Sequence, residues 1–433
     1  MGVLLGGQLS SRIFSLVLLV FFLFVPFRVG ADEIIKKGEV LNLERCVEIA
    51  LKKQPNIIAA MNIVSINQSR VGQAKANYYP QIDLSSGYSK SSPFSSASSR
   101  SSDEYSSGVS LKQNIYDFGK TTTRVEIQRL NLDSSRLDLE NVSDQIVFNV
   151  KQAYYRVLQA KRNRDVAEEA VRQFKKHLEQ AKGFYEVGTK PKFDVTKAEV
   201  DLSNAKLNLI KAENAIKVSR VILSNTMGMP DATEYSLVDN LTFVRYDITL
   251  EDMLKTAYNK RPDLTSILIK KKAAEASIEM SKKDYYPTLS GNATYGRVGE
   301  RFPLEDSWNV GMTISFPVFS GLSTRYQVEE AMENLNVLKA NEEALKQGVV
   351  LEVQQAYLNL KDVEERIPTA ELIVKQAEEN LEMANGRYAA GVGNPIEVTD
   401  AEVSLSNAKT AYIQSLYDYK ATRASLEKAM GIR

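Results

Sequence analysis

The run WNVGMTISFPV, residues 308–318, decides how this chain is read. Successive side chains of a strand point to opposite faces. Trp308, Val310, Met312, Ile314, Phe316 and Val318 therefore share one face, and Asn309, Gly311, Thr313 and Ser315 the other. About ten residues, apolar on one side and small and polar on the other, suit a strand with lipid on one face and water on the other. A half-buried soluble hairpin alternates in the same way. Three more segments share the pattern. Tyr105, Val109, Leu111 and Ile115 alternate with Ser106, Gly108, Ser110 and Lys112. Residues 81–90 and 288–297 alternate more weakly, through Ile82, Leu84, Ser86 and Tyr88 and through Leu289, Gly291, Ala293 and Tyr295. Tyr78, Tyr79, Phe118, Tyr285, Tyr286 and Phe319 flank these strands, where an interfacial aromatic belt belongs.

The chain is written twice. Leu43-Glu44, Pro55, Tyr78-Tyr79-Pro80 and Tyr88 return as Leu250-Glu251, Pro262, Tyr285-Tyr286-Pro287 and Tyr295, a shift of about 207. Downstream the shift is about 203: Gln152-Ala153-Tyr154 returns as Gln355-Ala356-Tyr357, and Leu202-Ser203-Asn204-Ala205-Lys206 as Leu405-Ser406-Asn407-Ala408-Lys409. The reading divides the chain into a first repeat, 32–228, a linker, 229–249, and a second repeat, 250–433. The longer loop of the first copy falls between Tyr88 and Phe118, and the serine-rich Ser91–Ser107 stretch is expected to be a mobile extracellular loop.

After each strand pair the period changes. Lys120–Val187 holds no proline and one glycine, and Ser323–Ala390 is interrupted only by Pro368 and two glycines. Ile146, Val150, Ala153, Val157 and Ala160 are spaced four and three, as are Val349, Val353, Ala356, Leu360 and Val363. Val195, Ala198, Leu202, Ala205, Leu209 and Ala212 continue the alternation. A period of 3.5 predicts left-handed coiled coils. Each repeat is thus a strand pair plus a long antiparallel helical hairpin, about 120–227 and 323–430, with tips at Gly188–Asp194 and Gly391–Glu397. Pro368 is expected to kink or break its helix.

Four strands cannot close a membrane barrel, for which about eight are needed. Open sheet edges do not survive in hydrocarbon, where each unpaired backbone group costs several kcal/mol. Copies of the chain must supply the rest, and three copies leave a lumen where two would fill with side chains. The fold class expected is mainly α with a membrane β-barrel portion: a homotrimer with a twelve-stranded barrel and a twelve-helix α-barrel.

Composition narrows the function. Lys+Arg 55 against Asp+Glu 54 gives +1, and removing residues 1–31, with Arg12 and Arg28 and no acid, leaves 53 against 54. Such balance speaks against a nucleic-acid partner. One Cys, Cys46, and one His, His177, rule out a disulfide framework and a Cys/His zinc cage and make triad catalysis improbable. Gly391-Val392-Gly393 lacks the third glycine of a dinucleotide fingerprint, and no phosphate-binding loop occurs. The chain reads as no enzyme, with no cofactor and no metal. Residues 1–31 read as a secretory signal peptide: Arg12, an apolar run Ile13–Val25 and a small-residue site at Val29-Gly30-Ala31. His177, beside Lys175, Lys176 and Glu179, reads as a solvated helix residue.

Tyr-Tyr-Pro before each strand pair, then Gln113-Asn114-Ile115-Tyr116-Asp117-Phe118-Gly119 and Phe316-Pro317-Val318-Phe319-Ser320-Gly321, resemble the strand-to-helix junctions of the TolC family. Tyr185-Glu186-Val187-Gly188-Thr189 and Arg387-Tyr388-Ala389-Ala390-Gly391 resemble its hairpin turns. The resemblance covers nearly the whole chain after residue 31. It implies an outer-membrane exit duct of a tripartite efflux or type I secretion system: passive, trimeric, lodged in outer-membrane lipid and extending into the periplasm. An adapter protein docks at the tips and an inner-membrane pump supplies the energy. The rival reading is a periplasmic coiled-coil adapter or scaffold without a pore, which the duplicated strand pairs disfavour. Glu397 and Asp400, three apart, share a helical face, and tripled about an axis would form acidic rings that favour cations; they also suit an ordinary first helical turn. The resemblance places Asp194, Tyr388, Glu397 and Asp400 at a periplasmic gate, and Gly188, Thr189, Lys190, Gly391, Val392 and Gly393 at the docking surface. It expects a cation where this chain has Gly393, and leaves open whether Arg387 or Lys190 substitutes.

Overall fold

The structure is a computed structural model that describes residues 35, 38–91, 102–231 and 234–433. The expected signal peptide, 1–31, lies outside them. In chain order the elements are β1 (Val40–Leu41), α1 (Leu43–Lys53), α2 (Pro55–Ala76), β2 (Gln81–Ser91), β3 (Ser102–Tyr116), α3 (Lys120–Glu186) and α4 (Lys192–Thr226). There follow β4 (Ser236–Leu237), α5 (Leu250–Lys260), α6 (Pro262–Lys282), β5 (Thr288–Gly299), β6 (Glu305–Ser315), α7 (Ser323–Ala389) and α8 (Pro395–Ala429).

Local chemistry sets these bounds. The Asn42 side chain accepts from Arg45 N at 2.8 Å to start α1, and Pro55 and Pro262 open α2 and α6 at the position where a missing N–H costs nothing. The Asp117 carboxylate accepts from Thr121 N at 2.9 Å and from Gly119 N at 3.1 Å, turning the chain from β3 into α3. Helices α3 and α7 each run 67 residues, about 100 Å at 1.5 Å per residue. Helix α7 passes unbroken through Pro368, so of the kink or break expected there the break does not occur. Val363 and Ile367 are buried on the proline's approach, and packing of that kind offsets the roughly 3 kcal/mol an interior proline costs.

Helix α3 lies on α2 and α6 along its first part and on α4 and α8 along its second, while α7 lies on α6 and then α8. The side-by-side order is α2–α3–α6–α7 towards the strands and α4–α3–α8–α7 towards the tips. All ten residues of the two 3.5-period seams, Ile146 to Ala160 and Val349 to Val363, are buried. The largest core sits at the waist, where Cys46, Ile57, Tyr154, Leu223, Met253, Leu360 and Tyr419 meet. The Tyr154 hydroxyl donates to Val238 O at 2.6 Å, fastening the segment before α5 to this core.

Strands β2-β3-β5-β6 form one antiparallel sheet. Paired residues share a face, and the register aligns the alternation across all four strands up to a shift in the β3–β5 ladder between Asn114 and Tyr116. Ile82 and Leu84 face Leu111 and Val109, which face Ala293 and Tyr295, which face Val310 and Trp308. The other face carries Asp83 and Ser85, Ser110 and Gly108, Asn292 and Gly296, Gly311 and Ser307. The apolar face lies bare: Leu84 is 80%, Trp308 74% and Met312 76% exposed. Among the described residues β2 and β6 are each paired on one side only. Ser91 and Ser102–Ser107, expected in a mobile loop, belong to β2 and β3, because the backbone ladder with β2 and β5 supplies their hydrogen bonds and Tyr105 packs on Tyr88 at 5.0 Å; residues 92–101 of that expected loop lie outside the described residues. Val318 falls beyond β6, which stops at Ser315 before Pro317; proline has no N–H to give a ladder. No described helix is long and apolar enough to cross a membrane.

Candidate gate at the hairpin tips

Each tip is closed by the backbone of the helix it ends. Thr189 N and Lys190 N donate to Phe184 O at 2.9 and 3.3 Å, and Val392 N and Gly393 N to Arg387 O at 3.1 and 2.9 Å. Gly188 and Gly391 take φ of 75° and 80°, the left-handed conformation that ends helices and favours glycine. Asn394 accepts from Ile396 N at 3.0 Å and Pro395 opens α8.

Tyr388 is fully buried between the two hairpins. Its ring lies 4.9 Å from the His177 ring and 5.5 Å, edge-on, from Phe184, both on α3. Lys190 Nζ stands 5.7 Å over the same ring and donates to Gly393 O at 3.3 Å, so the first tip reaches the second. The Tyr388 hydroxyl and His177 Nδ1 are buried with no hydrogen-bond partner among the described residues. Burial first, and then Asp194, pushes the phenol of Tyr388 up. Burial pushes the His177 imidazole down, against the pull of Asp201 and Asp194, with Lys197 adding to the fall.

His177 is therefore no solvated residue: it is 4% exposed. A signal for this was present. His177 stands three residues after Phe174 and four before Ala181, both buried on the α3 seam, and residues so spaced share a helix face. A second link between hairpins was not foreseen either. The Asp201 carboxylate accepts from Lys197 at 2.5 Å on its own helix and from Thr399 Oγ1 at 2.8 Å on α8.

The four gate candidates divide. Glu397 and Asp400 are exposed on α8, Glu397 in an ion pair with Arg387 at 3.3 Å. Asp194, its counterpart by the repeat shift, is buried behind Tyr388 and does not share their surface. Of the six docking candidates, Gly188, Thr189, Gly391 and Val392 are exposed and Lys190 half-buried, but Gly393 is buried. A Cβ on Gly393 would stand 2.7 Å from Tyr388 N and 2.9 Å from Arg387 C. Close backbone contact explains why no cation occupies this position, and it keeps Gly393, alone of the six candidates, off the surface of the tip. Val187 and Phe193 at the first tip are likewise exposed apolar side chains, and no periodic pattern marks them in the sequence.

The model of one family, described as Outer membrane efflux protein, matches residues 46–229 and 253–432. The chain belongs to that family. Outer membrane protein TolC of Escherichia coli is similar to this efflux protein, 22% identical over 84% of this chain and 76% of its own. A probable outer membrane lipoprotein, SilC of Salmonella typhimurium, is 24% identical over 91% of this chain and 84% of its own. The crystal structure of the CmeC outer membrane channel of Campylobacter jejuni shares the fold, with a TM-score of 0.78, 18% identity and coverage of 90% of this chain and 85% of that one. The two matched segments bracket the stretch 230–252 that joins the halves.

Proposed function

We propose that this outer membrane efflux protein is the passive exit duct of a tripartite efflux or type I secretion system. Three copies close a twelve-stranded barrel in outer-membrane lipid and a twelve-helix tunnel through the periplasm, and the tunnel is gated at its tips. One observation carries the reading: a four-stranded sheet with a bare apolar face and two unfinished edges, continuous with helices of 67 residues. Hydrocarbon stabilises that face and excludes those edges, so the sheet calls for both lipid and copies of itself.

The chemistry of such a duct is geometry and charge. Tyr388, packed against His177 and Phe184 of the other hairpin, holds the tips together, with Asp194 behind it. Glu397 and Asp400, exposed on α8, face the passage as acidic rings. A periplasmic adapter docks on Gly188, Thr189, Lys190, Gly391 and Val392, and an inner-membrane pump drives export through it. The test is the mass of the detergent-extracted particle together with conductance in planar bilayers. A three-chain particle that forms a small-conductance pore is expected. A single chain, stable alone in lipid, would overturn the reading.

A further inference from the structure

At the waist the protein carries a cavity of about 310 Å³ between α1, α3 and α8. That volume stands at the small end of ligand cavities, which run roughly 300–1,000 Å³. Its wall is unusually cationic. Lys151, Lys420, Arg423 and Arg433 line it, with Glu427 as the single acid. Glu427 is shared, accepting from Lys151 at 2.6 Å and from Arg423 at 3.1 Å. Arg433 is held from outside by Asp144 at 2.5 Å.

Lys420 is left over. It makes no ion pair and no hydrogen bond among the described residues, and its ammonium lies 5.7 Å over the ring of Tyr155. Burial, and then the neighbouring Arg423, push its pKa down, only partly opposed by Glu427. Cations near the end of α8 could serve merely to offset the helix dipole, but that effect is confined to the last turn. Lys420 stands well before the α8 terminus at Ala429. Lys420 is half-buried, and a partly desolvated ammonium with no direct ion-pair partner among the described residues is costly, so the cavity is an incomplete ion pair on the scale of a small ligand.

We propose that this cavity binds a small oxyanion, a carboxylate or a phosphate, between Lys420, Arg423 and Arg433. The site lies within one chain. Helices α3 and α8 are the two middle members of the row α4–α3–α8–α7, so copies packing on the flanks α4 and α7 leave it open. Charge-assisted hydrogen bonds from guanidinium and ammonium groups suit such anions, and Tyr155 supplies a wall that keeps Lys420 facing the cavity.

The test uses the assembled full-length protein in detergent, titrated with inorganic phosphate in one arm and acetate in the other, each against chloride at equal ionic strength. Saturable binding of either anion is expected, weakened about tenfold or more in Lys420→Gln, retained in Lys420→Arg and unchanged in Lys255→Gln, an exposed control. Saturation by phosphate alone assigns a tetrahedral ligand, and by acetate alone a carboxylate. If Lys420→Gln does not assemble, Arg433→Gln, at a half-exposed position, must show the loss. No saturable binding of either anion, or equal affinity in the variants that lack the charge, overturns the assignment.

Discussion

Tyr388 offers the sharpest test of how the tips are held. Its ring is fully buried against His177, Phe184 and Lys190, so truncation empties a large site at the junction of two hairpins. Tyr388→Ala should cost about 3–5 kcal/mol, the usual range for a buried aromatic. Even the lower figure raises the locally open population roughly 100-fold. Tyr388→Phe should behave in the opposite way. The hydroxyl is buried without a partner, and deleting an unpaired polar group is neutral or stabilising, by up to about 1–3 kcal/mol. Trypsin cleavage after the exposed Lys192, whose rate follows the open population when reclosing is fast, reads both variants. Closed-state conductance in planar bilayers gives an independent measure. Fast cleavage and a raised conductance in Tyr388→Ala, with wild-type behaviour in Tyr388→Phe, is the expected pair. Equal leakiness of the two would mean that the hydroxyl, not the ring, carries the contact, and packing would be refuted as the latch.

Further outcomes follow from neighbouring residues. Glu397→Ala combined with Asp400→Ala should raise conductance and weaken block by divalent cations; unchanged selectivity would remove these carboxylates from the passage. Gly393→Arg places a side chain on backbone already 2.7 Å away and should loosen the tip by about 1–3 kcal/mol of overpacking, seen as faster cleavage after Lys192; a tighter tip would contradict the close approach. The Glu402 carboxyl is pushed up to about 7 by burial and then by Glu169, against Lys409. Its folded value exceeds the ordinary 4.5, so the folded chain binds the extra proton and stability falls as pH rises from 4.5 to 7, by about 3 kcal/mol. Glu402→Gln should flatten thermal stability across that window, and a slope that survives the substitution would show the proton is bound elsewhere.

What the sequence disclosed, and what it withheld, divides by the range of the interaction. The alternation of Trp308, Val310, Met312 and Ile314 is written within one strand, and the register carries it across the sheet with a single shift, between Asn114 and Tyr116. The seams of α3 and α7 are equally local: Val150, Val157, Val353 and Leu360 declare themselves by spacing. The tip is different. His177 was masked by Lys175, Lys176 and Glu179, and its burial depends on Tyr388 of the other hairpin. Gly393 invited comparison with a cationic position, and only the fold of the turn onto Arg387 and Tyr388 explains the glycine. At Pro368, where a kink or a break was expected, the helix does not break, for the same reason: packing outside the helix outweighed a local rule.

The apolar surface the chain leaves uncovered has a pattern of its own. In the sheet the unfinished edges are β2 and β6. In the helical body the exposed apolar side chains Val200, Leu207, Ile210 and Val221 lie on α4, and Leu351 and Leu358 on α7, the two ends of the row α4–α3–α8–α7. Strand β2 follows α2 and strand β6 precedes α7, so the sheet and the helices are incomplete on the same two sides. Joining like side to like would give an isologous pair, whereas joining unlike sides repeats from copy to copy and closes a ring where the rotation between copies divides the circle. Only the second arrangement satisfies β2 with β6 and α4 with α7 at once. Ring closure is thus favoured twice over, by backbone groups that lipid cannot hydrogen-bond and by helix flanks whose side chains have nothing to pack on in a single chain.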